Sequence, residues 1–168
     1  MKLVSEEKGF FTGTNRLMLK YALLITYLAV LSYGLFFAEG FGRTMGHGSY
    51  NIEPFREIRR YIVYSDRLGW EIVAFNLLGN VFVFLPFGFL VPSMWPSHDK
   101  KHPVALFFLT LLFSVMVELL QFVTGVGAAD VDDVILNTIG GCLGYQIYAA
   151  WRHIRYGEMN VRKVEVAR

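Results

Sequence analysis

Acidic and amide side chains occur within or beside long apolar runs of this sequence, where ionisable groups are rare. They are Asn76, Asn80, Glu118, Gln121, Asp130, Asp133 and Asn137. An unpaired carboxylate in hydrocarbon costs several kcal/mol, so Glu118 must be protonated, hydrogen-bonded or directed into an aqueous cavity. Side chains of these types can hydrogen-bond a polar headgroup, bind a cation or carry a proton. An ionisable group in such a run is therefore a candidate functional residue.

Helical spacing groups these side chains. Glu118 and Gln121 are three residues apart and share one helix face. Asp130, Asp133 and Asn137 follow an i, i+3, i+7 pattern and share another face. Polar faces on different helices can meet only if both turn inward. We therefore expect one shared polar site.

Structural roles would explain part of this set without any chemistry. Asp130 is suited to the N-cap of a helix and Asp133 to its first turn, where carboxylates satisfy free N–H groups and complement the helix dipole. The asparagines would equally serve as hydrogen-bond partners between helices. A functional role is favoured most at Glu118, because its desolvation requires compensation.

Four apolar stretches must position these residues. The chain has 168 residues, of which 54% are hydrophobic and 18% are charged, fewer charges than a soluble domain carries. Residues 17–37, 71–91, 104–123 and 131–151 are each long enough to cross about 30 Å of hydrocarbon as a helix. Because a helix satisfies its backbone polar groups within one segment, we predict an all-α polytopic bundle of about four transmembrane helices.

The distribution of Lys and Arg predicts the orientation of this bundle in the cell membrane. With four spans, the N-terminal segment, the loop at 93–103 and the C-terminal segment hold ten Lys and Arg, against five on the other side. The positive-inside rule then places both termini in the cytoplasm. The expected organisation is a cytoplasmic N-tail at 1–16, a membrane domain at 17–151 and a basic cytoplasmic C-tail at 152–168.

The first outer loop is expected to contain a short interfacial helix. Between residues 52 and 64, the apolar side chains and the arginines Arg56, Arg59 and Arg60 separate onto different helical faces. A helix with this division lies in the plane of the membrane interface.

Several function classes lack the residues that they require. The histidines lie in predicted loops or tails without the spacing of a zinc site; they are His47, His98, His102 and His153. The chain has no phosphate-binding loop, dinucleotide-binding glycine motif or nucleophile elbow, and no cofactor is expected. The sequence also has no motif for nucleic-acid binding. Its basic C-tail is better explained by attraction to anionic lipid.

Four motifs carry a resemblance to a known family. The segments NIEPF (51–55), NLLGNVFVFLPFGF (76–89), ELLQ (118–121) and DVDDVILNTIGG (130–141), in this order, resemble the VanZ-like family. The resemblance covers most of the chain up to Trp151 and implies an integral membrane protein linked to resistance to teicoplanin, a glycopeptide with a lipid tail. It adds Asn51 to the candidate residues. Family members often carry an arginine shortly before the position of Asp130, whereas residues 125–129 here contain none.

These observations favour a non-enzymatic membrane protein that binds an amphiphile in a polar cavity of the outer leaflet. The expected partner is a lipoglycopeptide antibiotic or an envelope lipid. The asparagines and Gln121 would hydrogen-bond its headgroup, Glu118 and the aspartates would accept hydrogen bonds or bind a cation, and Arg56, Arg59 or Arg60 would face phosphate.

Two alternatives remain open at this point. In the first, Glu118, Asp130 and Asp133 hold a divalent cation through oxygen ligands, in an enzyme that acts on a lipid-linked phosphate or sugar. In the second, Glu118 carries protons in a small transporter.

Overall fold

The computed structural model describes residues 13–36, 50–95 and 102–166. In chain order, its elements are α1 (Gly13–Phe36), β1 (Tyr50–Asn51), α2 (Arg56–Val63), α3 (Ser65–Leu68), α4 (Trp70–Ser93), α5 (His102–Thr124), β2 (Ala129–Asp130) and α6 (Val131–Val166). The predicted all-α class is confirmed, since each strand is only two residues long.

Each predicted span corresponds to one long helix. The predicted boundaries lie within four residues of the observed ones, except at the end of α6. That helix continues to Val166, through most of the segment 152–168 that was expected to be a separate tail. Residues 1–12 of the predicted N-tail lie outside the described residues.

The short helix expected in the first outer loop is α2. It begins at Arg56, after Phe55, whose backbone adopts the left-handed conformation with φ of 67°. A left-handed residue outside glycine is uncommon. The turn that leads into α2 is therefore unusual, and contacts with another part of the chain must hold it in place.

Among the described helices, three are long and apolar enough to cross a membrane: α1 over Asn15–Leu35, α4 over Trp70–Ser93 and α5 over Pro103–Thr124. The fourth predicted span, the first part of α6, is not one of them. Amide and hydroxyl side chains such as Asn137 and Thr138 lower its hydropathy. Because α6 packs against both α4 and α5, neighbouring helices cover side chains that lipid would not accommodate.

Adjacent ends of the helices show which polar segments meet. At one end of the bundle, the Lys20 ammonium near the start of α1 donates to the Ser93 carbonyl at the end of α4. At the other end, the Gln121 amide donates to the Leu35 carbonyl over 3.3 Å. There β1 also pairs in parallel with β2, with Asn51 opposite Asp130. The ends of α1 and α5 thus lie beside the start of α6.

Glycines allow α4 and α6 to pack backbone against backbone. A Cβ atom added at Gly140 would lie 2.2 Å from the Val81 carbonyl oxygen, and one at Gly144 would lie 2.1 Å from that of Leu85. Both distances are shorter than non-bonded atoms tolerate. Small residues at helix contacts are the usual means of close approach in membrane bundles.

We predict that Gly140→Ala lowers the free energy of unfolding by about 1–3 kcal/mol, because the added methyl group must push α4 away from α6. Thermal unfolding of the purified protein in detergent measures the change. Gly79→Ala is the matched control, since a Cβ there meets no atom within 4 Å. A Gly140→Ala protein as stable as the control would contradict the close contact.

Candidate functional site

The start of α6 is a junction of hydrogen bonds centred on Asp130. The Asp130 carboxylate accepts from the Asp132 backbone N–H over 2.8 Å, which is the predicted N-cap bond. It also accepts from the Asn51 side-chain amide over 2.9 Å. The backbone N–H of Asp130 donates to the Glu118 carboxylate over 3.0 Å. Two separate segments, β1 and α5, are therefore tied to the start of α6.

Asp132 connects α2 to this junction. Its carboxylate accepts three backbone N–H groups at the start of α2: Phe55 at 2.5 Å, Glu57 at 2.7 Å and Ile58 at 3.1 Å. Asp132 is only 1% exposed. These bonds satisfy N–H groups that no helical carbonyl can reach and place a negative charge at the positive end of α2.

Sequence reasoning did not select Asp132 as a site residue. A signal was present, because the residue before α2 is Phe55, which has no side chain able to cap a helix. A helix without a local cap needs an acceptor from elsewhere in the fold. The identity of that acceptor, 74 to 77 residues away along the chain, was not visible in the pattern.

The predicted asparagines divide between two roles. The Asn80 amide donates to the Asp133 carboxylate over 2.5 Å and links α4 to α6. The Asn137 amide donates to the Ser114 hydroxyl over 2.9 Å and links α6 to α5. Asn76 instead donates to the Ile72 carbonyl one turn earlier in its own helix, over 2.8 Å.

Buried polar residues form a stripe along α5. Thr110, Ser114, Glu118 and Gln121 are spaced by three or four residues and are all buried. They share one helix face, as predicted for the last two. Glu118 lies within the packed interior, 5% exposed, where it accepts the amide of Asp130. The structure thus places it at the junction between helices.

A cavity of about 950 Å³ lies between α1 and α4, beneath α2. Among the predicted site residues, Asn76, Asn80, Gln121, Asp130 and Asp133 line it. Asn51, Glu118 and Asn137 are not among its lining residues. Most of the predicted polar set therefore lines a single cavity, and the remainder lies outside its lining.

Among the arginines that the structure describes, Arg60 borders this cavity. Its guanidinium lies 2.5 Å from the Glu57 carboxylate, and both residues line the cavity. Arg56 is exposed and is not among the lining residues. This difference follows from the helical register of α2, which turns residues 57, 58, 60 and 61 toward the cavity.

The three carboxylates considered as metal ligands bond to different donors. Glu118 accepts from the Asp130 backbone, Asp130 from Asn51 and Asp133 from Asn80. Within the described ranges, no three His, Cys, Asp or Glu side chains are grouped as a metal site. The arrangement therefore gives no geometric support to the metal alternative.

Burial raises the pKa of Asp130 above its ordinary value of 3.8. Hydrogen bonds from the Asp132 N–H and the Asn51 amide oppose this shift, while the negative charge of Asp132 adds to it. The positive charge of Arg60 lowers the pKa by the smallest contribution. The Asp132 carboxylate and the Arg60 guanidinium therefore shift the pKa of Asp130 in opposite directions.

We predict that Asp132→Asn loosens α2. The two carboxylate oxygens of Asp132 accept hydrogen bonds from three N–H groups, whereas an amide has only one acceptor oxygen. Hydrogen bonds to a charged group contribute about 1.5–3 kcal/mol each, and a loss of that order is expected in thermal unfolding. Limited trypsin digestion should also cleave faster at Arg59 and Arg60. Asp66→Asn, at an exposed acid in α3, is the control. Equal cleavage rates in both variants would refute the capping role.

Comparison with known proteins shows the family. A family model described as VanZ/LLP1 matches residues 19–152. Protein VanZ of Enterococcus faecium is 33% identical over 90 residues, which cover 54% of this chain and 52% of that relative. The matched region thus spans about half the length of the relative. No solved structure matches the chain significantly. Because the family model covers most of the sequence, including every predicted site residue, the chain belongs to the VanZ/LLP1 family.

Proposed function

We propose that this protein binds an amphiphile in the cavity between α1 and α4 and thereby contributes to glycopeptide resistance. The observation that carries the proposal is the division of the cavity into an apolar part and a polar end. A volume of about 950 Å³ is at the upper end of the range for small-molecule sites. The family membership supports the link to resistance.

The apolar part of the cavity is formed by α1 and the middle of α4. Val30 and Leu31 of α1 line this part together with Phe82 and Val83 of α4. At this deeper end, the Tyr27 hydroxyl donates to the Val83 carbonyl over 2.9 Å. A surface of this composition suits a hydrocarbon chain, because it offers few partners to a polar group.

The polar end lies where α4 and α6 begin. Asn76, Asn80 and Gln121 provide amides, and the aspartates of α6 provide carboxylates. A few convergent polar groups on a mainly apolar cavity are the usual arrangement of a ligand site. A headgroup would lie at this end, with its chain along α1.

The cavity also opens toward the side of the bundle. Val30, Phe75 and Phe82 line it and are 65%, 55% and 61% exposed. Between residues 15 and 35 of α1, Leu31 alone is buried, so α1 packs loosely on the other helices. An amphiphile already in the bilayer would enter between α1 and α4.

We also propose that the protein is a multi-pass membrane protein with both termini in the cytoplasm. The polar end of the cavity then lies on the outer side. Support comes from the excess of Lys and Arg in the terminal segments and from the alternating direction of α1, α4 and α5.

A cavity-filling substitution tests the binding proposal. We predict that Gly79→Leu removes ligand binding, because Gly79 lines the cavity and an added Cβ meets no atom within 4 Å. Thermal stabilisation by teicoplanin, and by extracted envelope lipids, should be present in the wild type and absent in the variant. Asn76→Ala should weaken it about tenfold, the loss of one or two headgroup hydrogen bonds.

The matched control is Ala22→Leu, at an exposed position of α1 outside the cavity. It should behave as the wild type does. Expression in a teicoplanin-sensitive bacterium provides the functional reading, with resistance from the wild type and Ala22→Leu only. If Gly79→Leu is produced at equal levels and protects equally, the cavity is not the binding site.

Labelling in intact cells tests the orientation. In a Cys142→Ser background, a cysteine at Asp66, which is exposed in α3, should react with a membrane-impermeant maleimide. A fluorescent protein fused after Arg168 should fluoresce, as expected for a cytoplasmic location. Labelling of Asp66→Cys only after cell lysis would reverse the proposed orientation.

A further inference from the structure

We infer that the cavity selects an amphiphile with one short alkyl chain, of up to about ten carbons, and that Tyr27 sets this limit by closing the deep end. This inference rests on the proposed function, because it specifies the ligand class of the same cavity. It follows from the length of the cavity along α1 and from the contact at its deep end.

The cavity runs along α1 between two hydrogen bonds to other helices. At its polar end, the Gln121 amide donates to the Leu35 carbonyl over 3.3 Å, and both residues line the cavity. At its deep end, the Tyr27 hydroxyl donates to the Val83 carbonyl over 2.9 Å. Within the described part of α1, no residue before Tyr27 lines the cavity. The side chain of Tyr27 is therefore the last part of α1 that a bound chain would meet.

Beyond Tyr27, α1 meets α4 again. Seven residues earlier on α1, the Lys20 ammonium donates to the Ser93 carbonyl. Within the described part of α4, the lining of the cavity ends at Pro86, one turn beyond Val83. A chain that reached Tyr27 could therefore continue between the two helices only by breaking their contacts.

Tyr27 is suited to close this end. The residue is half-buried, and its hydroxyl is bonded to α4, so its ring cannot swing aside without losing that bond. In apolar surroundings, the loss of a hydrogen-bond partner is costly. Pro86 also interrupts the hydrogen bonding of α4 near this level, where a neighbouring helix can bond to backbone carbonyls. The Tyr27 ring is thus held in place across the end of the cavity.

The distance between the two ends fixes the length of the chain. From Leu35 to Tyr27, α1 advances eight residues, or about 12 Å at about 1.5 Å per residue. An extended chain of single bonds advances about 1.2 Å per bond, as an extended peptide does over the three bonds of each residue. About ten carbons therefore reach from the polar end to the Tyr27 ring.

The chains of ordinary membrane lipids are longer than this. The hydrocarbon core of a bilayer is about 30 Å thick, so a chain in one leaflet spans about 15 Å. Surrounding lipid has access to the cavity, because Val30 and Phe82 line it and are 65% and 61% exposed. A longer chain would have to bend sideways out of the cavity to avoid the Tyr27 ring. The closed end thus disfavours bulk lipid and leaves the cavity to amphiphiles with shorter chains.

The test compares monoglycerides that share one uncharged headgroup: octanoyl, decanoyl, dodecanoyl, tetradecanoyl and hexadecanoyl. Each is titrated into the purified full-length protein in maltoside detergent, and thermal shifts give affinities referred to the mole fraction in the micelle. Micelle and cavity gain alike from each methylene that fits, so the affinity should be constant up to decanoyl. It should fall at least about tenfold by tetradecanoyl, since each methylene that does not fit forfeits up to about fourfold.

Variants of Tyr27 assign the limit to this residue. Tyr27→Ala removes the ring and should restore the affinity for tetradecanoyl monoglyceride to nearly that for the decanoyl compound. Tyr27→Leu should shift the limit in the same direction with a smaller loss of packing, so the inference does not depend on one variant that folds poorly. Tyr27→Phe keeps the ring and should keep the limit. Tyr21→Ala, at an exposed position of α1 outside the cavity, is the matched control and should give the wild-type profile.

The outcomes distinguish this inference from the function on which it rests. An affinity that does not fall between decanoyl and hexadecanoyl, with all binding lost in Gly79→Leu, would overturn the limit and leave the cavity proposal in place. A fall that persists unchanged in Tyr27→Ala and Tyr27→Leu would overturn the role of Tyr27. No binding at any chain length, with stabilisation by teicoplanin retained, would overturn the inference alone. Binding that Gly79→Leu does not alter would overturn both proposals.

Discussion

The bond between Asp132 and the start of α2 is the interaction on which the arrangement of this protein depends. An apolar bundle cannot leave the first N–H groups of a helix unsatisfied where water is scarce. The local sequence provides no cap, since Phe55 occupies that position. One buried carboxylate at the start of α6 satisfies three of these groups at once. It thereby holds α2 over the end of the bundle where the cavity lies.

Around that bond, hydrogen bonds between segments replace the apolar packing that a soluble core would use. Asp130 connects Asn51 to the first turn of α6, and Glu118 of α5 accepts the Asp130 N–H. Deeper in the bundle, glycines bring α4 and α6 into backbone contact, so that Asn80 reaches Asp133. Each of these polar groups therefore has a hydrogen-bond partner within the protein, where lipid would provide none.

The same residues serve both the fold and the cavity. Asp130, Asp132 and Asp133 orient α2 and α6 through their hydrogen bonds, and they also border an internal space whose other walls are apolar. Bonds that fix a carboxylate in place also preorganise its charge toward a ligand, because less reorganisation is needed on binding. The structural and functional interpretations of these acids are therefore compatible. A variant such as Asp133→Asn can separate the structural role from the functional one, because the new amide can still accept from Asn80 but carries no charge.

Local features of the sequence were enough to predict the helices. The length and hydropathy of four stretches predicted the positions of α1, α4, α5 and the first part of α6, and the residue type at Asp130 predicted its N-cap bond. These properties depend on side-chain chemistry and on helical period, both of which are local.

The partners of the polar residues depend instead on which helices approach each other and in what register. Glu118, a predicted site residue, is buried outside the cavity lining, Arg60 and not Arg56 borders the cavity, and Asp132 reaches a helix more than 70 residues away. The first part of α6 is less apolar than the other three long helices, and α4 and α5 cover its polar side chains. Contacts of this kind arise only when distant segments pack, and no periodicity within one segment encodes them.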